Sequence, residues 1–479
     1  MQLTGARKRS AIALLVLSGL LVAGVLLARG EEPFFERAYS LLTGERPREP
    51  EGKGEKEPSG RSFEKQTRVE RDSSPSAFST LLDAERVWSG HDDWEPALAI
   101  QPSSNVIYQA TTRYSGPRAC NGCPYPYITV RRSTDGGNTW GADKPIPNIK
   151  KKQNDPEIEV AQDGTVYLVW INGYEPGVAF SKSTNGGNTW SPQINLTPKN
   201  GTPNWSDKPL LAISPNGQHV YIGFNASDNY VAYSHNFGAS FTVSPKLNND
   251  TRYWFHTAGA VAPNGDAYFI TSDFSQDYTG DAFISVMKSS NGGAAWTTTR
   301  VDTSKEMPEC TWATDCYFGF FGTIAGLAVD SAGKVVIAYN ASNVNRGPMQ
   351  LYARTSTNGI TWSARQDLGA GSTFNHHSVA VASAGAGKFG VTWQDDRMGI
   401  NAAWNAWLRQ SSDGGDSWDA PLRLSDQATG APYKSAAGHK FPYGDYQEIG
   451  ADSTGHYHVI WGEGDSFKGP GGTWYTKTY

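Results

Sequence analysis

The sequence is poor in cysteine, carries no surplus of positive charge and shows no clear processing site near its N-terminus. Each absence excludes something. Net charge is −5 over 479 residues. A nucleic-acid partner calls for a basic face, so none is expected. The only cysteines are Cys120, Cys123, Cys310 and Cys316. None stands near the end of the N-terminal apolar run, which argues against a lipoprotein anchor. No small-x-small motif follows that run, and Leu27-Ala28-Arg29-Gly30 is a poor substitute.

Glycine and aromatic residues are plentiful: 52 Gly, 16 Trp and 12% aromatics overall. That profile suits a turn-rich all-β protein whose layers pack through aromatic side chains. At the N-terminus, Arg7-Lys8-Arg9 precedes an 18-residue apolar stretch from Ala11 to Ala28. This length is near the lower limit for crossing a bilayer and long for a signal-peptide core. The basic cluster should stay cytoplasmic. Residues 1–30 therefore read as an uncleaved signal anchor, with a cleaved signal peptide as the alternative. In both cases the rest of the chain is exported, membrane-anchored with an extracellular domain or secreted. Residues 31–82 read as a disordered charged linker. Glu45 to Asp72 is mostly Glu, Lys, Arg, Pro and Gly, too few apolar groups to offset the entropy of ordering.

Residues 83–479 carry a repeat. Ser133-Thr134-Asp135-Gly136-Gly137-Asn138-Thr139-Trp140 is nearly copied at Ser183-Thr184-Asn185-Gly186-Gly187-Asn188-Thr189-Trp190. Weaker copies, with Asn236, Asn291, Asn358 and Asp413 at the Asp position, run from Ser234 to Phe241, Ser289 to Trp296, Ser356 to Trp362 and Ser411 to Trp418. The aromatic ends fall at 140, 190, 241, 296, 362 and 418, so the spacings are 50, 51, 55, 66 and 56 residues. A period in this range marks a repeat architecture. The chemistry is that of a turn. Asp or Asn bonds its own backbone two residues on, and Gly supplies positive φ. The closing aromatic packs beneath the turn. Each copy follows an alternating run such as Tyr127 to Arg132, which reads as a strand. The boxes are thus read as structural corners, not ligand sites.

This element resembles the Asp-box (BNR) repeat of the sialidase superfamily of β-propellers. The resemblance implies a propeller with its boxes on the face away from the active site, and sialidases of the family have six blades. Here the strand pairs preceding the boxes number seven. They begin at Glu95, Glu157, Pro209, Ala258, Ile324, Ser378 and Gln447. The last pair is followed by Thr473 to Thr478, and the chain ends where a box would start. A spare strand, Ala84 to Trp88, lies at the other end. Pairing it with Thr473 to Thr478 would close the ring and remove exposed edges. The expected fold is therefore all-β, a seven-bladed β-propeller, with six blades as the alternative.

Strand order places the inter-blade loops on the face opposite the boxes. They hold Asp92, Trp94, Asp155, Trp205, Asp207, Arg252, Trp254, His256, His376, His377, Tyr443, Asp445 and Tyr446. Carboxylates and His there suit acid/base chemistry on sugars, and aromatics suit stacking on sugar faces. Asp92, Asp155, Asp207, His256, His376, Asp445, Tyr446 and Glu448 are the candidate catalytic groups. Trp94, Arg113, Trp205, Arg252, Trp254, His377 and Tyr443 are the candidate ligand contacts. The bland alternative is that each Asp caps a tight turn. The cysteines fall on the same face and read as local disulfides, 120–123 and 310–316, because the two loops belong to separate blades. A Cys₄ zinc site would need those loops to converge. No metal or cofactor is assigned, and a structural Ca²⁺ stays open.

Blade one permits a comparison with the family pattern. The Pro96-Ala97-Leu98 segment matches, but the position of the family's carboxylate-gripping Arg is Trp94, while Arg113 matches a later Arg. The family's acid/base Asp has no counterpart between Tyr114 and Pro126. The resemblance implies a Tyr nucleophile activated by a Glu, and the nearest local candidates are Tyr443 or Tyr446 with Glu448. Arg397 is expected to bridge to an Asp of its own loop. Two functions follow. One is an exported glycan-active enzyme of sialidase-like fold with altered substrate. The other is a membrane-tethered, non-catalytic glycan- or protein-binding propeller, and in both cases a monomer is expected.

Overall fold

The structure is a computed structural model. It describes residues 81–479 apart from 103, 148, 174–176, 197–205, 227, 276–278, 309–321, 370, 398–402, 427–430, 433–445 and 465–470. The expected anchor and most of the linker lie outside the described residues. Among those described there is no helix.

Seven antiparallel sheets follow one another along the chain. Their innermost strands are Asp93–Ile100, Gln153–Val160, Asp207–Ile213, Tyr253–Val261, Ala325–Val329, His376–Ser383 and Glu448–Ala451. These define blades 1 to 7 and line the central channel. Six blades then add three more strands in sequence order, and blade 6 carries an extra two-residue strand, Ala431–Pro432. Blade 7 has only three of its own. Its outermost strand is Arg86–Val87 from the other end of the domain, in register with Tyr475 and Trp474. Asp83 N–H donates to Lys477 O at 2.9 Å and Trp88 N–H to Thr473 O at 2.7 Å. The closure expected from the truncated last blade is thus present. It begins one residue inside the expected linker, where Leu82 bridges Thr478.

The core is divided between neighbouring blades. Ala97, Ile128 and Val130 of blade 1 pack on Ile158, Leu168 and Trp170 of blade 2. Val379 and Trp393 of blade 6 pack on Leu351 and Leu368 of blade 5. Tyr457, Trp461 and Trp474 of blade 7 pack on Leu408 and Leu424 of blade 6. Second strands read as near-continuous apolar runs because both faces of each sheet are covered. Trp170, Trp393 and Trp461 sit at matching places in these strands and are buried. Each removes on the order of 150–250 Å² of apolar surface from water.

The boxes form as their residue types dictate. Ser133 Oγ accepts the Gly137 N–H at 2.9 Å, and Asp135 Oδ1 accepts the Thr139 N–H at 2.9 Å. The same pair of bonds recurs at Ser183/Asn185, Ser234/Asn236, Ser289/Asn291 and Ser411/Asp413. Gly136 and Gly137 take φ of 68° and 81°, which glycine adopts without steric cost. The Thr139 hydroxyl and N–H donors hold the Asp135 carboxyl down at about 2. Cations reach across to the next blade's box. Lys288 Nζ lies 2.9 Å from Asn358 O, Lys334 Nζ 3.0 Å from Asp416 Oδ1 and Lys477 Nζ 2.9 Å from Gly136 O. The boxes therefore mark one end of the channel. The inter-blade loops mark the other, called here the mouth.

Candidate active site at the channel mouth

Five inner strands start with a β-bulge at the mouth end. The register shifts between Trp94 and Ala97, Asn154 and Glu157, Asp207 and Leu210, His256 and Ala258, and His377 and Ala380. A bulge inserts one residue and re-aims a side chain. In four of them a non-glycine residue takes the left-handed conformation: Glu95 at φ 56°, Asp155 at 49°, Lys208 at 46° and Ser378 at 52°. Each such residue costs on the order of 1–3 kcal/mol unless its surroundings enforce it. One backbone device thus presents four different side chains.

Three of them meet. The Tyr446 hydroxyl, just ahead of the inner strand of blade 7, donates to Asp155 Oδ1 of blade 2. Lys208 Nζ of blade 3 lies 3.7 Å from the same oxygen and 4.6 Å from the centre of the Tyr446 ring. Behind them, Glu95 Oε2 accepts the Asp155 N–H at 2.9 Å and Glu95 Oε1 accepts the Tyr114 hydroxyl at 2.9 Å. Asn154 Nδ2 donates to the Tyr114 oxygen at 2.8 Å. Asp155 is 3% and Glu95 1% exposed, while Tyr446 and Lys208 are half-buried. The arrangement sets a half-buried phenol and ammonium against two buried carboxylates. A phenol hydrogen-bonded to a carboxylate can lose its proton to it, and a neighbouring ammonium stabilises the negative charge that develops.

The Tyr446 hydroxyl thus bonds Asp155, and Glu448, its partner by sequence proximity, bonds elsewhere. Glu448 accepts the Leu98 N–H of blade 1. Its two-residue separation from Tyr446 does not bring the two side chains onto one target.

The other sequence candidates divide by place. The Asp92 N–H donates to Ser115 Oγ at 2.9 Å, and Asp207 Oδ1 accepts the Lys208 N–H at 2.8 Å. His256 bonds Asn229 through Nε2 and meets the Phe269 ring edge-on at 5.0 Å. Burial pushes it down to about 3, so it stays neutral between blades 3 and 4. His376 Nδ1 meets Met349 O at 2.9 Å, and burial lowers its pKa as well. His377 Nδ1 meets Ser378 Oγ at 2.7 Å. Trp94 is fully buried, and the Trp254 indole donates to Asp250 at 2.8 Å. Arg113 forks onto Asp93 at 2.7 and 2.9 Å and reaches Asp143 at 2.6 Å. Arg252 pairs with Asp273. Arg397 pairs with Asp395 at 2.6 Å, the bridge expected within its own loop. Trp205, Tyr443 and Asp445 lie outside the described residues, as do Cys310 and Cys316. Cys120 and Cys123 form the expected local disulfide, with Cα atoms 5.2 Å apart. Among the described residues, no group of three or more His, Cys, Asp or Glu is placed to hold a metal ion.

Sequence reasoning missed Glu95, Tyr114, Asn154 and Lys208 as members of the site. The signal was present in the alignment of the strand starts. Glu95, Asp155, Lys208 and Ser378 each stand at the first turn of an inner strand, at the same offset from its apolar run.

No protein-family model matches the chain, and no curated protein matches it in sequence. Among solved structures it is similar to an ulvan lyase of polysaccharide lyase family PL25, at 12% identity and TM-score 0.50, over 80% of this chain and 94% of the lyase. It is also similar to the Hadza microbial sialidase Hz136, at 14% identity and TM-score 0.44, over 81% of this chain. The match spans 65% of that sialidase's length. A Dyadobacter fermentans protein of unknown function aligns at 14% identity and TM-score 0.47, over 82% of this chain and 98% of its own. At these identities the likeness is one of fold: the chain is built as the propellers of this group are.

Proposed function

We propose that this chain is an exported, membrane-tethered, glycan-active enzyme whose reacting group is Tyr446. The contact between Tyr446 and Asp155 carries the reading. Asp155 takes the phenolic proton as the Tyr446 oxygen attacks the anomeric carbon. The glycosidic bond breaks as the new C–O bond forms, and the departing oxygen is protonated from solvent. Lys208 stabilises charge on the phenol oxygen, and Glu95 fixes Asp155 through its backbone. A Tyr nucleophile in place of the usual carboxylate is known for sialidases. A sialoside is nevertheless not the expected substrate. Trp94 stands where the family grips the sugar's carboxylate, and Arg113 is held by Asp93 and Asp143. Only a planar guanidinium grips a carboxylate with two parallel bonds. Neutral or uronic sugars fit better, and the likeness in fold to a lyase solved with a glucuronate-containing ligand is consistent with a polysaccharide as substrate.

The test is a panel of aryl glycosides and polysaccharides, with a fluorogenic sialoside as control. Turnover of at least one neutral or uronic substrate is expected. Tyr446→Phe and Asp155→Asn should each lower it by about 100-fold or more, the scale of a lost proton-transfer group. A panel without turnover, or variants as active as the wild type, would refute the assignment. The tether is checked by fractionation: the protein should sediment with membranes until detergent releases it, and recovery from the soluble cytoplasm would contradict export.

A further inference from the structure

Blade 3 departs from its neighbours at the box end, and two imidazoles meet where it does. Its box reads Ser234-His235-Asn236-Phe237-Gly238. His235 replaces the threonine of the first two boxes. Phe237 replaces their first glycine yet keeps a left-handed φ of 60°. Beside the box lies the turn from Ser214 to His219, which joins the two inner strands of the same blade. The next pair of strands, Val220–Asn225 and Asn229–Ser234, sets Val220 opposite Ser234. One step further, His219 stands opposite His235. Side chains directly opposite on an antiparallel pair have Cβ atoms about 4.5–5.5 Å apart.

The local backbone is fixed. His219 N–H donates to Ser214 Oγ at 2.9 Å, and Phe237 N–H donates to Gln218 O at 3.1 Å. The Nδ1 atoms of His219 and His235 lie 2.8 Å apart, and the two rings cross at 72°. His219 is half-buried and His235 is exposed. The neighbouring cation, Lys182, is bonded to Phe237 O. Both imidazoles stand at the end of the channel opposite Tyr446, and neither enters the proposed reaction.

Two neutral imidazoles can share this contact only as donor and acceptor, with one Nδ1 carrying a hydrogen. The same two nitrogens can instead turn their lone pairs toward one cation, because the terminal torsion of His is broad. The hydrogen then passes through water to Nε2 of its own ring, and no proton is lost overall. Geometry selects the ion. At a metal–nitrogen distance of about 2.0 Å, nitrogens 2.8 Å apart subtend about 90° at the metal. That is the angle between adjacent positions of a tetragonal site, which Cu²⁺ and Ni²⁺ prefer. Tetrahedral zinc would hold its nitrogens about 3.3 Å apart. Of the two tetragonal ions, Cu²⁺ binds nitrogen ligands more tightly.

We propose that His219 and His235 form a surface chelate for Cu²⁺, with water in the remaining positions. Burial, then the neighbouring His235, lowers the His219 pKa, which keeps its lone pair available at neutral pH. The ion would tie the Ser214–His219 turn to the box of the blade whose first box glycine is missing. It binds only the folded hairpin, so it stabilises the fold.

Titration of the full-length protein with Cu²⁺ at neutral pH, followed by electron paramagnetic resonance, tests the site. The first ion bound should give a tetragonal spectrum coupled to two nitrogens. His219→Gln and His235→Gln should each weaken that binding by at least about tenfold, the smallest cost of disturbing even an outer-shell partner of a metal. Each should also remove coupling to one nitrogen. Affinity and nitrogen coupling unchanged in both variants would overturn the proposal. Carbethoxylation of the wild type, mapped by peptide mass, needs no variant and decides the matter should either substitution fail to fold. An equimolar amount of Cu²⁺ should leave His219 and His235 largely unmodified, while His456, whose side chain is 41% exposed, stays reactive. Equal modification of the pair with and without Cu²⁺ would overturn the chelate. Neither readout uses glycan turnover.

Discussion

The two ends of the channel use repetition in opposite ways. At the box end the sequence repeats and so does the chemistry. Asp135, Asn185, Asn236, Asn291 and Asp413 all accept the backbone N–H four residues on. At the mouth the backbone repeats while the side chains differ. The left-handed bulge residue is an acid in blades 1 and 2, a lysine in blade 3 and a serine in blade 6. A corner needs one acceptor and one pair of glycines, so any blade can share the solution. A site needs unlike groups within reach of one another, so each blade supplies a different one. Strain follows the same division, with glycine mostly relieving it at the boxes and side-chain bonds holding it at the mouth.

The largest expected effect breaks both ends together. Deleting residues 81–88 removes the outermost strand of blade 7 and exposes the Gly471–Lys477 edge. An unpaired edge templates association, so size-exclusion chromatography should show aggregates in place of a monomer peak. A monomeric, cooperatively melting deletion would show that the ring holds without its closure.

The next comparison sets one carboxylate against another. Asp155→Asn should cost about 100-fold or more in turnover, as a lost proton acceptor does. Asp135→Asn should leave turnover and Tm essentially unchanged, because the amide oxygen keeps the Thr139 N–H bond, as it does naturally at Asn185. Equal effects would erase the distinction between the ends.

The smallest effects concern strain. Phe237 occupies a box position that glycine fills in other blades, with φ of 60° and its ring 45% exposed. Phe237→Gly should stabilise the fold by about 1 kcal/mol as a left-handed side chain is removed. Glu95→Gly relieves the same strain but strands the Asp155 N–H and the Tyr114 hydroxyl. The net result should be a loss of about 1–2 kcal/mol, since buried groups left without partners cost about 1–3 kcal/mol each. Chemical denaturation of both variants reads the two signs, and a shared sign would mean that the mouth bulges hold no more than the boxes do.

Much of the fold was legible because it is written locally. The Ser-x-Asp/Asn-Gly-Gly turn, the apolar strand pairs and the missing last strand each lie within one short stretch of consecutive residues. Counting them was enough for seven blades and for the closure by Arg86–Val87. The site was legible in part. Asp155 and Tyr446 could be singled out from strand starts at the mouth, but Tyr446 was matched with Glu448. Proximity in sequence was a poor guide there, because Glu448 is drawn to the Leu98 N–H of another blade. Arg113 looked like a substrate contact until Asp93 and Asp143 took up its fork. His256 and His376 looked reachable at strand starts, whereas both lie buried between sheets.

By itself the sequence determined the repeat, the turn chemistry of each box, the number of blades and the way the ring closes, since each depends on interactions within a few residues or on a count of units. The tertiary structure alone decided which side chains meet. Tyr446 and Asp155 are 291 positions apart, and they touch because closing the ring brings blade 7 round beside blades 1 and 2. Which carboxylates serve the mouth and which neutralise an arginine depends on the direction each strand start gives its side chain, and that direction is set by packing between blades.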